Sequence, residues 1–102
     1  MDFLLSEIAH IVGGELRGED LRVWDVATDS RSVVAAENVV FAALDGKNRD
    51  GHQFVERLVS RGVDAFIVER DMELPNKRCG MVKVESTIVA LQRLAAYHRE
   101  QF

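Results

Sequence analysis

Two short runs, "VVFAAL" (Val39 to Leu44) and "AFIVE" (Ala65 to Glu69), are almost wholly apolar and lie one helix apart. A short run that is apolar on both faces reads as a strand covered on both sides. Between them, "HQFVERLVSRG" sets Phe54, Val55, Leu58 and Val59 at helical spacing, with Gly62 as the stop. Strand, helix and strand over about thirty residues make a βαβ unit. The fold class that follows is α/β, a small sheet with helices on its faces.

The rest of the chain fits the same layout. "LLSEIAHIVGG" puts Leu5, Ile8, Ile11 and Val12 on one helical face, and Gly13 and Gly14 supply its stop. "LRVWDVATD" alternates and is rich in β-formers, which predicts one strand. "GMVKVE" predicts another. "STIVALQRLAAYHREQF" predicts a final helix, with Ser86 as N-cap and Ile88, Leu91, Leu94 and Ala95 on its buried side. The lone proline, Pro75, lies in the polar connector "MELPNKRCG". Without repeats or low-complexity segments, residues 1–102 read as a single domain.

Composition narrows the function classes. The 102 residues are 47% hydrophobic and carry a net charge of −4, with both signs mixed along the chain. Non-specific nucleic-acid binding needs a basic surface, so no nucleic acid is expected. The N-terminus has an acid at Asp2 and no basic region, unlike a signal peptide. "VVFAAL" is far too short to span a bilayer. A soluble cytoplasmic domain with no membrane partner is the expectation. Cys79 is the sole cysteine, which precludes an internal disulfide and fits a reducing compartment. Lying in a connector with no histidine near it in sequence, it is not nominated as a nucleophile. His10, His52 and His98 lie far apart and share no metal-ligand motif, so no metal is expected. Trp24 and Tyr97 read as packing residues.

The loop "DGKNRDGH" leaves the end of a buried strand and enters a helix. In open α/β sheets, ligands collect beyond the carboxyl ends of the strands. A helix start also offers unpaired N–H groups and partial positive charge. Gly46 and Gly51 allow sharp turns close to a ligand. Lys47 and Arg49 add cations and Asn48 a neutral donor, a set suited to phosphate or diphosphate. His52 opens the helix and is a further candidate for reaching a ligand in this loop. The same residues also suit a plain surface turn capped by Asp50. The spacing is not that of a P-loop, and G-x-x-x-x-G-K-[ST] occurs nowhere in the chain.

"TDSR" is the second polar cluster. Thr28 and Ser30 offer hydroxyls, Asp29 an acceptor and Arg31 a fork of donors. A structural turn, with Asp29 paired to Arg31, accounts for them equally.

Read in order, "TDSR", "VVFAALDGKNRDGHQFV" and "RGVDAFIVE" resemble the N-terminal domain of the Mur ligases. That family's pattern is D-[ST]-R, then [LV]-F-x-A-L-x-G, then D-G-H-x-F, then G-[AV]-x-A and a hydrophobic stretch. The opening "LSEIAHIVGGELRGED" resembles the member that adds D-alanyl-D-alanine. The resemblance implies a small mixed sheet of about four to five strands and a UDP-binding role. The domain would hold the UDP end of UDP-N-acetylmuramoyl-tripeptide in peptidoglycan synthesis. ATP and Mg2+ would serve a separate P-loop domain that makes an acyl phosphate, and a third domain would bring the D-alanyl-D-alanine amine. By similarity to the ligase adding the third peptide residue, Thr28 and Ser30 match substrate contacts after the D-S-R turn. Lys47, Asn48 and Arg49 match contacts in the loop before D-G; Arg31 and His52 are further candidates. "GKNRDGH" is not the loop of either ligase, and "AEN" (Ala36 to Asn38) replaces the family's Gly-Asp turn. The chain reaches "AAYHREQF" about where the family continues into its P-loop domain, so it reads as one domain of a longer ligase, in some bacteria fused to an alanine racemase. Two alternatives are the same domain of the third-residue ligase and a stand-alone binding module without catalysis.

Overall fold

The computed structural model describes residues 2–29, 31, 37–44 and 51–100. The chain runs β1 (Phe3–Leu4), α1 (Leu5–Val12), β2 (Glu15–Gly18), β3 (Arg22–Val23), β4 (Asp25–Ala27) and β5 (Val39–Ala42). A 3-10 turn (Gly51–Phe54) then leads into α2 (Val55–Ser60), β6 (Ala65–Val68), β7 (Gly80–Lys83) and α3 (Thr87–Glu100).

The main sheet has five strands in the order β2-β7-β6-β5-β4. The pairs β4–β5, β5–β6 and β6–β7 are parallel, and β2 runs antiparallel to β7. The sheet is therefore mixed, as the family resemblance implies. β1 and β3 form a separate antiparallel pair. The two short apolar runs become β5 and β6, all four residues of each of which are buried, and "GMVKVE" supplies β7 beside them.

Side-chain alternation along those strands feeds two cores, because successive residues point to opposite faces. Val40, Ala42, Ala65, Ile67 and Val82 pack with Leu5, Ile8 and Val12 of α1 and with Ala90 and Leu94 of α3. Phe41, Ala43, Phe66, Val68 and Met81 face the other way, onto Val55 and Leu58 of α2. The result is three layers, with the sheet dividing two apolar clusters.

Local chemistry explains the helix ends. The Ser6 N–H of α1 donates to Asp20 Oδ1 (2.8 Å), and Glu7 Oε1 accepts from Leu4 N–H (2.9 Å). Gly13, at φ +72°, turns the chain out through the left-handed region that glycine enters freely. Ser86 caps α3, its Oγ accepting from Val89 N–H (3.2 Å). Arg93 of α3 reaches across to the Val12 carbonyl at the C-terminus of α1 (3.0 Å).

Four expectations are corrected. "LRVWDVATD" is two strands, since β3 pairs with β1 and β4 pairs with β5. The break falls at Trp24, whose N–H turns to the Asn38 carbonyl (2.9 Å). Trp24 is accordingly 50% exposed and is not a core residue. Tyr97 does pack, tilted against Phe3 at 5.8 Å, but remains at the surface. In α3 the buried stripe is Thr87, Ala90 and Leu94, with Leu91 partly covered. Ile88 and Ala95 face outward, because the small residues Thr87 and Ala90 are the ones that let the helix approach. Lastly, the helix after the glycine loop opens as a 3-10 turn, and regular α2 begins only at Val55.

Candidate functional site

Parallel pairing determines what can meet at the carboxyl edge of the sheet. Ala27 stands opposite Phe41, Ala42 opposite Ile67, and Val68 opposite Lys83. Thr28, Ala43, Glu69 and Val84 therefore all leave the sheet on one side. In sequence, the two polar segments come after β4 and β5, which are neighbours in the sheet.

Of the predicted site residues, Thr28, Arg31 and His52 lie among the described residues, whereas Ser30, Lys47, Asn48 and Arg49 lie outside them. Thr28 is exposed at the end of β4. Asp29 accepts the Arg31 main-chain N–H (2.9 Å) on Oδ1, an Asx-type turn. The Arg31 guanidinium also grips Asp29, with Nε at 3.2 Å from Oδ1 and Nη2 at 3.0 Å from Oδ2. These hydrogen bonds, aided by the Asp29 charge, raise the Arg31 pKa above its ordinary value. Much of Arg31's donor fork is thus engaged within the turn.

His52 is only 4% exposed. Its Nε2 accepts the Glu69 main-chain N–H at 2.9 Å. An imidazole buried this way does not present itself to a ligand in solution. Glu69 is the residue that sequence reasoning missed. It is the first residue after β6, and its Oε1 accepts the Thr87 N–H that opens α3 (2.7 Å). Its one sequence signal is position, since it is polar and ends a buried strand.

A cavity of about 500 Å3 lies at the opposite edge, where β5 and β6 begin. Arg22, Asn38, Val39, Asp64 and Ala65 are among its walls. Of the described site residues, Thr28, Arg31 and His52 do not line it. Cys79 is fully buried beside Phe66 and Met81 in the α2-side core, and burial is the main cause of its raised thiol pKa. Among the described residues no cluster of His, Cys, Asp or Glu could hold a metal ion. Within the same set, no helix is long and apolar enough to cross a membrane.

Three layers around a mostly parallel sheet define an α/β domain. The chain belongs to the Mur ligase family: the family description "Mur ligase family, catalytic domain" matches residues 22–99. It is 36% identical over 84 residues to the UDP-N-acetylmuramoyl-tripeptide--D-alanyl-D-alanine ligase of Synechocystis sp. (strain ATCC 27184 / PCC 6803 / Kazusa), covering 82% of this chain and 18% of that protein. It is 34% identical over 99 residues to the ligase of the same name from Escherichia coli (strain K12), covering 95% of this chain and 20% of that protein. Among solved structures, MurF from Acinetobacter baumannii superposes with a TM-score of 0.85 at 29% identity. That match covers 99% of this chain and 22% of the other. The chain thus spans about a fifth of the length of the relatives it matches.

Proposed function

We propose that this chain is the UDP-binding domain of an ATP-dependent ligase that adds D-alanyl-D-alanine to UDP-N-acetylmuramoyl-tripeptide in peptidoglycan synthesis. The supporting observation is that β4 and β5, the strands that precede the Thr28 turn and residues 45–50 in sequence, are parallel neighbours. A nucleoside diphosphate bridging them would meet Thr28 and Ser30 on one side. On the other it would meet Lys47, Asn48 and Arg49. Arg31 and His52 serve as supports, not as principal contacts. ATP and Mg2+ belong to other parts of such a ligase, since this chain has no P-loop sequence. Its soluble nucleotide substrate makes the cytoplasm its working compartment.

The test is an NMR titration of the 102-residue chain with UDP, with a uridine-free diphosphate as control. UDP should shift amides in both segments, and only part of that pattern should appear with diphosphate. No shift in either segment of a folded domain refutes the site. A diphosphate pattern identical to that of UDP leaves an anion site and refutes the uridine assignment.

A further inference from the structure

Three described stretches of chain wall the cavity of about 500 Å3 where β5 and β6 begin: β3, the turn into β5 with Glu37 and Asn38, and the turn into β6 with Gly62 and Asp64. Its volume is that of a pocket for a small organic molecule. The donors of these walls are already spent. Arg22 Nη1 is bound to Asp2 Oδ1 (2.9 Å), and Asp2 is not a wall residue. The Asn38 side-chain amide donates to the Arg22 carbonyl (2.9 Å), while the main-chain N–H groups of Trp24 and Asp25 turn to the Asn38 carbonyl (2.9 and 3.4 Å). The carboxylates are not spent. Among the described residues neither Glu37 nor Asp64 has an ion-pair partner. Asp64 Oδ1 is shut off from solvent and receives no hydrogen bond. We propose that this cavity is a second binding site, for a small aliphatic ammonium compound whose charged end meets Asp64.

Charge selects the ligand class. A carboxylate with one oxygen cut off from water and left unbonded lacks part of its solvation, and a cation beside it restores what is missing. An anion would meet both Glu37 and Asp64, with the guanidinium of Arg22 already neutralised. A metal ion wants several convergent oxygen ligands, and no group of three His, Cys, Asp or Glu among the described residues could hold one. A neutral apolar molecule would leave Asp64 uncompensated. Leu21, Val23, Val39 and Ala65 line the same cavity, so an alkyl chain finds apolar surface there while its ammonium meets the carboxylate. Exposed Glu37 adds negative potential that draws a cation in. The site lies at the amino ends of the strands and is independent of the UDP reading.

The experiment titrates the 102-residue chain with pentylamine and follows the amide signals by NMR, with pentanol and pentanoate as neutral and anionic controls. Pentylamine should shift the amides of Asn38, Gly62, Asp64 and Ala65 saturably, at about millimolar concentration. Both controls should bind roughly tenfold more weakly or worse, the scale of one charge-assisted hydrogen bond. Asp64→Asn and Glu37→Gln each keep the side-chain shape and remove one charge. Asp64→Asn should lose about tenfold in pentylamine affinity, and Glu37→Gln, being exposed, about threefold. Pentanol binding as tightly as pentylamine overturns the proposal, as does unchanged affinity in Asp64→Asn. Shifts spread evenly over exposed acids elsewhere, Glu19 and Glu100 among them, show bulk charge alone and overturn it too. If Asp64→Asn fails to fold, the pentanol comparison and Glu37→Gln decide. Saturating UDP should leave pentylamine affinity unchanged, and competition between them overturns the placement at the opposite edge. A chain that takes pentylamine and not UDP keeps this proposal and loses the functional reading.

Discussion

Ala27 stands opposite Phe41 in the parallel pairing of β4 with β5. One residue beyond that pair, the first strand has become the Thr28 turn, while the second still has Ala42 in its strand. A shift of register by one residue would turn the side chains of β4 to the opposite face. The geometry of the candidate site thus depends on apolar residues that never meet the ligand.

Phe41 is fully buried and meets the Phe66 ring edge-on at 6.4 Å. Phe41→Ala should cost about 3–5 kcal/mol, the usual range for a large aromatic ring removed from a core. Denaturant unfolding measures it. A loss under about 1 kcal/mol would mean that the site collapses around the gap far more easily than close packing allows.

Gly80 pairs with Gly18 where β7 meets β2. A Cβ on Gly80 would run into the Glu19 carbonyl and the Leu5 side chain. Gly80→Ala should destabilise by about 1–3 kcal/mol through overpacking, read as a lower denaturant midpoint with an unchanged slope. A neutral result would show that the Glu19 backbone yields freely.

Cys79 should be silent toward thiol reagents until the chain opens. Its pKa is raised, chiefly by burial, from an ordinary value of 9.0. A raised thiol pKa favours folding fully below the unfolded value, and that contribution is lost as pH rises through the folded one. Labelling should therefore track unfolding at neutral pH, and stability should decline above about pH 9. Rapid labelling of the native chain at pH 7 would contradict the burial.

Arg31 spends its donors on Asp29. Arg31→Ala should leave stability nearly unchanged, as befits an exposed pair. Its effect on UDP affinity should be smaller than that of Ser30→Ala or Lys47→Ala, each of which should weaken binding by roughly 1–3 kcal/mol. Affinity should also fall with added salt, which screens exposed charges. Calorimetric titration of the three variants at two salt concentrations ranks them. Arg31→Ala as the most damaging would reverse the assignment.

The central strands were legible because a strand covered on both faces must be apolar throughout, as Val39 to Ala42 and Ala65 to Val68 are. Gly13 and Ser86 were legible because helix ends impose local chemistry. The break at Trp24 was not, because the alternating pattern passes through it unchanged while the hydrogen-bonding partner changes from β1 to β5. β2 was hidden for another reason: "ELRG" has no fully buried residue and is a strand only because β7 offers it a backbone edge. The candidate residue types could be read from order alone, but the pairing of β4 with β5 is a property of non-local register. The bond from Glu69 to His52 left no trace in the sequence, since its donor is a main-chain N–H that any residue but proline would supply.

Arg93 capping Val12, and β7 pairing with β2, fasten elements far apart in sequence within the domain. Synthesis proceeds from the N-terminus at about 5–20 residues per second. During that time α1 and β2 exist without the surfaces they need. Leu5, Ile8 and Val12 stay uncovered until the residues of β7 and α3 have cleared the ribosome. The first elements of the domain to be made are therefore among its last secured, and the nascent domain carries an exposed apolar helix until β7 and α3 emerge.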